Sequence, residues 1–471
     1  MKPASAYRLT PAKGRQTENK AYASFISIKK TNNREMKTNI IYKCLLPVFV
    51  LLVSSCELDQ TNPNSATDEQ VLNTREGIIA LSIGLRQNYS TNGLSSVMLA
   101  PTVTAREMKG IATFTNTLEL EAGGTTLPTA NGIILGYWSA MQRQMSMCES
   151  IISKAPNVGG IEPGLLSGIM AQAYLFKAMA LTSLATTFEH ANLNSSTTEP
   201  VQFVPRAQVF AEALRLLDLG VAGINTTAPS ASFTSLVSGI DFDLKNTLYA
   251  YQARINLMAG NNAKALASAN LVDLSKKSSY TYTTLSPNPL YTIYNVTKSY
   301  RPRENFGLPA GLFEAADKRL AFYFTTPRDV INTDPVVTLT GFAAAQTTSI
   351  PVYLTDEIKL IKAEATLRTD GSLVTALALI NEVRTQVSGD PFGVNAGLPA
   401  YSGAVTKDAL LLEVYKQRCA ELYLSGLKWD DTRRFVRPVP PADNSERNRI
   451  FYPYPDQERI NNKNTPADPA I

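Results

Sequence analysis

The stretch LKNTLYAYQARINLMAGNNAKALASANLVDLS, residues 244–275, decides the fold class. Leu244, Leu248, Tyr251, Ile255 and Met258 recur at steps of three and four, the spacing that gathers side chains on one helix face. Gly260 ends the stripe, and a second helix restarts near Ala263. The small residues Ala253 and Ala265 fall where the two helices must approach most closely. The stretch predicts a helix hairpin.

The same pattern recurs in both directions. DEIKLIKAEATLRTDGSLVTALALINEVRTQ (356–386) reads as a second hairpin. Thr355 is its N-cap, Asp356 and Glu357 lie in the first turn, Gly371 breaks the chain, and Leu373, Leu377, Ile380 and Val387 follow on the partner helix. YWSAMQRQMSMCESIISKAP (137–156) places Trp138, Met141, Met145, Cys148 and Ile152 on one stripe, which reads as core rather than as a cofactor site. Pro163 suits a first helical turn, after which Leu165, Ile169, Ala173, Phe176, Ala180 and Leu184 repeat the period. Further helices are expected near Phe210 to Leu217 and at Ile78, Leu81, Leu85 and Tyr89, the latter behind a capping box at Thr67-Asp68-Glu69-Gln70. The repeats are degenerate and unevenly spaced, unlike a regular array. The fold class expected is mostly α: stacked, tetratricopeptide-like helix hairpins with long loop insertions and little β.

Two regions do not read as helix. Residues 91–132 are rich in Gly, Thr and Asn. Residues 280–351 open with YTYTTLSPNPLYTIYNVTKSYRPRENFGLPAG and mix aromatics with Pro and Asn. Irregular segments this long are usually functional or disordered, and the aromatics point to ordered and functional.

The N-terminal region reads as processing rather than structure. NIIYKCLLPVFVLLVSSCELDQTNPNS (39–65) carries an apolar run too short for a membrane span and interrupted by Lys43. A charged start at Met36-Lys37, a short apolar core and small residues describe a signal peptide over 36–55. The cut leaves Cys56 first, with a tether over 56–66; residues 1–35 read as an over-called start. Ten of the 45 Lys and Arg precede Cys56, against two acids, Glu18 and Glu35. The part from Cys56 onward therefore carries 35 basic and 38 acidic residues and no basic block, which excludes the electrostatic footprint of a nucleic-acid binder.

Catalytic signatures are sparse. The one histidine, His190, lies in the loop FEHANLN without a nucleophile elbow or catalytic Cys context. A catalytic zinc site wants several His or Cys ligands. AGGTT (122–126) lacks the Lys of a phosphate loop. Cys148 and Cys419 fall on apolar stripes and read as buried thiols. Two carboxylates suffice for a glycosidase, but nothing marks such a pair. No catalytic residue, metal or cofactor is expected.

Several motifs together resemble the SusD/RagB family of Bacteroidetes lipoproteins. They are VSSC at 53–56 followed by ELDQTNP, the 244–275 hairpin, AEATLR with ALALINEVR, LLLEVYKQRCAELYLSGLKWDDTRRF (410–435), and the tail YPYPDQERINNKN (452–464). Arg418, Glu421, Gly426, Trp429, Asp430 and Arg433 match the family's most specific motif in outline; Ser425, Lys428 and the order of Asp430-Asp431 depart from it. The residues themselves read as structural, with Glu421 expected to pair with Arg418 or Lys428, Trp429 to anchor the helix end, and Asp430, Asp431, Arg433 and Arg434 to lock the exit loop. The resemblance implies a single domain over 67–471, with a tetratricopeptide-like part at 67–279 and a RagB/SusD part at 280–471. It implies an outer-membrane protein lipidated at Cys56 and facing the cell surface, which binds an oligomeric nutrient, a glycan or a peptide, for a SusC-like TonB-dependent transporter. An envelope scaffold using the helical groove and a secreted glycosidase are the alternatives. Loop aromatics and amides are the expected ligand contacts: Phe114 and Asn116 in the first irregular region, and Tyr291, Tyr294, Asn295, Tyr300 and Arg301 in the second.

Overall fold

The computed structural model describes residues 72–196 and 199–471. Cys56, the signal segment 36–55, the tether and the capping box at 67–70 lie outside the described residues.

The helices follow the apolar periods. Thr74 Oγ1 accepts the Gly77 N–H and caps α1 (Arg75–Asn88), which runs through a wider turn at Tyr89–Gly93 into α2 (Leu94–Thr104). After α3 (Thr115–Ala122), Asn131 caps α4 (Gly132–Lys154), whose buried face includes Trp138, Met141, Met145 and Cys148. Glu162 caps α5 (Pro163–Thr187), with Pro163 in its first turn. This helix is long and apolar enough to cross a membrane, yet 78% of its most apolar window is buried by the protein around it, the situation of a central core helix. α6 (Arg206–Thr226) packs along it.

The first hairpin forms as α7 (Leu244–Met258) and α8 (Asn262–Asn270), turning at Gly260 with φ +80°, and Ala253 and Ala265 are both fully buried. The second forms as α9 (Thr355–Arg368) and α10 (Leu373–Thr385). Its cap differs from expectation: Leu354 holds the N-cap position and Thr355 is the first helical residue, with Asp356 and Glu357 in the first turn. α11 (Lys407–Glu421), α12 (Lys428–Arg434) and α13 (Asp456–Asn461) complete the helices used below. One apolar core runs from Ile78 to Tyr454, and a smaller one joins Ala363, Leu367, Ala376, Ile380, Leu410 and Val414 from α9, α10 and α11.

Among the described residues, strands occur in antiparallel pairs: β1 (Met108–Gly110) with β5 (Tyr300–Pro302), β2 (His190–Asn192) with β3 (Phe203–Pro205), β4 (Ser279–Tyr280) with β8 (Ile350–Pro351), and β6 (Phe324–Ile331) with β7 (Asp334–Leu339). The architecture is mostly α, as expected. The expectation for the first irregular region fails. Residues 91–132 hold α2 and α3; α2 shows no stripe because its C-terminal half, residues 100–104, is buried at every consecutive position, and Pro101 sits within it.

Candidate functional site

The two irregular regions come together into one face. Past α2 the chain turns at Arg106, with φ +62°, and β1 pairs with β5 so that Lys109 stands opposite Arg301 and Gly110 opposite Tyr300. The N–H groups of Ile111 and Ala112 donate to Ser299 O at 2.9 and 3.2 Å. The β6–β7 turn closes over this pair, where Asn332 Nδ2 donates to Ile111 O at 2.9 Å. Lys109 and Arg301 both reach Asp334, at 2.7 and 3.0 Å, and the Lys109 hydrogen bond leads in holding that carboxyl below its ordinary pKa. Behind them, Glu121 accepts from Gly110 N–H at 2.9 Å and pairs with Arg303 and Arg106 at 2.9 and 3.2 Å. Burial nonetheless outweighs these partners and raises its pKa.

What this frame presents outward is apolar. Phe114 is 68% exposed and Leu118, one helical turn later, 51%. Phe114 O accepts from the N–H groups of Thr117 and Leu118, both at 3.0 Å, so the backbone under the ring is fixed. Val296 and Val330, on the neighbouring segments, are also exposed. An exposed aromatic ring on a fixed backbone is the kind of group that takes a flat apolar ring face.

The residues expected as ligand contacts divide. Phe114 is open to solvent; Arg301 lies in the Asp334 pair, and Tyr291 is half-buried with its N–H donated to Asn288 Oδ1 at 3.0 Å. Asn116 is exposed, but its Oδ1 accepts the Gly132 N–H at 3.1 Å at the start of α4. Tyr294, Asn295 and Tyr300 point inward instead. The Tyr294 hydroxyl donates to Met98 O at 2.6 Å, the Tyr300 hydroxyl lies 3.2 Å from Thr117 Oγ1, and burial raises both phenol pKa values. The Asn295 amide bonds Leu339 O, Ala343 O and Leu339 N–H. These three hold the loops in place. Lys109, Leu118, Val296, Val330 and Asp334 lay outside the sequence reading; their alignment depends on strand pairing across distant segments, which no local period announces.

The 418–434 motif is a structural lock. Residues 422–427 separate α11 from α12, so pairing along one helix is interrupted, and Glu421 pairs with Arg319 at 3.2 Å rather than with Arg418 or Lys428. Arg418 pairs with Asp431 at 2.8 Å, and Lys428 Nζ donates to Ala105 O at 2.6 Å. Asp430 joins Arg206, Arg433 and Arg434, and Arg434 also holds Glu364. Trp429 is fully buried, donates to Arg449 O at 2.9 Å and packs on Tyr452 at 4.5 Å between ring centroids. His190 lies in β2, its N–H donated to the Tyr454 hydroxyl at 3.0 Å. Cys148 and Cys419 are buried and unpaired, and burial raises both thiol pKa values. Among the described residues one group of three acids, Asp356, Asp390 and Glu421, is close enough to share a cation, and it is buried. A core cavity of about 100 Å³, lined by Tyr89, Tyr251, Tyr280 and the Arg254–Glu357 pair, has room for a few waters but not for an oligosaccharide.

Residues 343–469 match the SusD family model. No curated protein matches the sequence. Solved structures agree over most of the chain. A SusD superfamily protein from Bacteroides thetaiotaomicron is 14% identical, with a TM-score of 0.67 over 84% of this chain and 100% of that one. A protein from Bacteroides fragilis described as a SusD-like carbohydrate-binding protein is 12% identical, with a TM-score of 0.64 over 84% and 99%. B. fragilis NanU is 12% identical, with a TM-score of 0.63 over 87% and 99%. Residues 343–469 thus carry the SusD family signature, and the described chain has the fold of the SusD superfamily structures.

Proposed function

We propose that the protein is a lipoprotein of the outer membrane that captures an oligomeric nutrient, a glycan first, and hands it to a SusC-like TonB-dependent transporter without chemical turnover. Its anchor is the lipid on Cys56, and it faces outward. The observation that carries this reading is the SusD family match at 343–469 on a fold shared almost end to end with a structure described as a SusD-like carbohydrate-binding protein. The face around Phe114 supports it: a rigid, mostly apolar surface held by the Lys109–Asp334–Arg301 pairs suits the ring face of a sugar and offers polar groups at its rim. A transporter lid needs this surface to be shallow, because the cargo must leave it again.

Two measurements test the proposal. Calorimetric titration of a glycan panel, with a peptide panel beside it, identifies the cargo class. Recovery of the lipidated protein from outer membranes identifies its partner. A stoichiometric TonB-dependent barrel with glycan binding supports the whole reading. Periplasmic assembly factors without a barrel, and no ligand in either panel, refute it.

A further inference from the structure

Asp356 lies in the first turn of α9, Glu421 is the last residue of α11, and Asp390 lies in the loop after α10. Each places a carboxylate oxygen within 4.8 Å of the others, and none of the three residues is more than 9% exposed. Ionised carboxylates this close and this dry repel one another unless something sits among them.

The open valences point the same way. Asp390 Oδ1 accepts the N–H groups of Phe392 and Val394 at 2.8 and 2.9 Å, and its Oδ2 is buried without a hydrogen-bond partner. Glu421 Oε2 takes Arg319 at 3.2 Å, and its Oε1 is likewise buried without a partner. Asp356 Oδ1 lies 2.8 Å from Lys359 Nζ, while the Gln386 amide, assigned with its nitrogen toward Asp356 because only that orientation satisfies both of its ends, donates to Asp356 Oδ2 and accepts the Asp390 N–H, both at 2.9 Å. The amide therefore ties two of the acids without adding charge. The charge balance is independent of these distances. Asp317 pairs with Arg319 beside the trio, so with every group ionised four carboxylates would face two cations, Arg319 and Lys359, leaving two negative charges uncompensated.

We infer that Asp356, Asp390 and Glu421 form a buried site for one hard divalent cation, of the calcium or magnesium class. An all-oxygen donor set selects such ions over zinc or copper. Opposite oxygens on a calcium ion, each about 2.4 Å from it, stand about 4.8 Å apart, so the trio can close on one ion with small side-chain movements. The uncompensated charge equals that of the ion. The ion would pin the start of α9, the end of α11 and the loop between them.

The test uses the purified protein, stripped with a chelator and dialysed. Elemental analysis after re-addition of calcium or of magnesium gives the stoichiometry, and thermal unfolding with each ion gives the response. About one equivalent bound and a midpoint raised by about 3 °C at a hundredfold excess over Kd support the site. Asp390→Asn keeps the shape and the loop hydrogen bonds, and the ion response should vanish; Asp356→Asn serves if that variant does not fold. Less than a tenth of an equivalent bound to the unaltered protein, or an equal midpoint shift in protein and variant, overturns the inference and leaves the trio sharing protons instead.

Discussion

Gly426→Ala is the sharpest test of how the C-terminal motif is built. Gly426 has φ +81°, a conformation that costs an L-residue about 1–2 kcal/mol. Its missing Cβ would lie 2.4 Å from Val97 O and 3.1 Å from Val97 Cγ1. Val97 O belongs to α2, four residues before Pro101, which has no N–H to give it. Proline thus leaves a carbonyl open, and the glycine backbone approaches it. Moving apart two backbones packed this tightly costs about 1–3 kcal/mol more. The expected loss is about 3 kcal/mol, or about 4 °C in Tm for some 400 ordered residues. Gly136→Ala is the opposite control: Gly136 is exposed within α4, nothing lies within 4 Å of the added methyl, and a gain of about 0.5–1 kcal/mol is expected. Differential scanning calorimetry of both variants decides it. If Gly426→Ala melts together with the unaltered protein, the close approach to α2 does not hold the motif.

Three further outcomes are expected. Arg254 grips Glu357 with two 2.6 Å bonds across the two hairpins, so Arg254→Met should cost about 3–5 kcal/mol in urea unfolding by leaving that carboxylate alone. Adding Glu357→Leu should restore most of the loss, and a double variant as unstable as the sum of the singles would contradict this. Hydrogen bonds from Arg384 and then Lys416 hold the Glu314 pKa at about 2, below its ordinary 4.5. A depressed acid gives stability that is present above pH 4.5 and lost as pH falls toward 2. With the side chain 30% exposed, solvent reduces the effect to about 1–2 kcal/mol, and Glu314→Gln should flatten that acid limb. Phe114→Ala should leave Tm within about 1 °C, because the ring is exposed, yet weaken the identified glycan about tenfold. An unchanged glycan affinity would move the binding site elsewhere.

What could be read in advance followed from period. The 244–275 and 356–386 hairpins carry one-sided stripes, and one-sided burial leaves that trace. α2 leaves none, because its second half is buried at every consecutive position from Ala100 to Thr104. The loop tyrosines misled for a related reason. A tyrosine in an irregular segment can stand outward, or bury its ring and spend its hydroxyl on a carbonyl, as Tyr282 does on Ser90 O and Tyr294 on Met98 O. Composition is the same in both cases, and direction comes only from the partner. The motif at 418–434 was legible as structure, but its partners Arg206, Arg319 and Glu364 come from segments far away in sequence.

Residues 448–454 return to helices far earlier in the sequence. Asn448 N–H donates to Thr104 O, the Asn448 amide to Leu120 O, and Tyr452 N–H to Thr187 O. Residues 448–454 thus complete hydrogen bonds that the first helices cannot close among themselves. While the chain is being made, those carbonyls and the seat of Trp429 wait for residues 448–454, so the helices over 94–187 reach their final packing only once that segment has emerged. Contacts this distant in sequence slow folding, and a chain lacking residues 448–454 would lose protection at α2, α3 and α5 as well as at the cut.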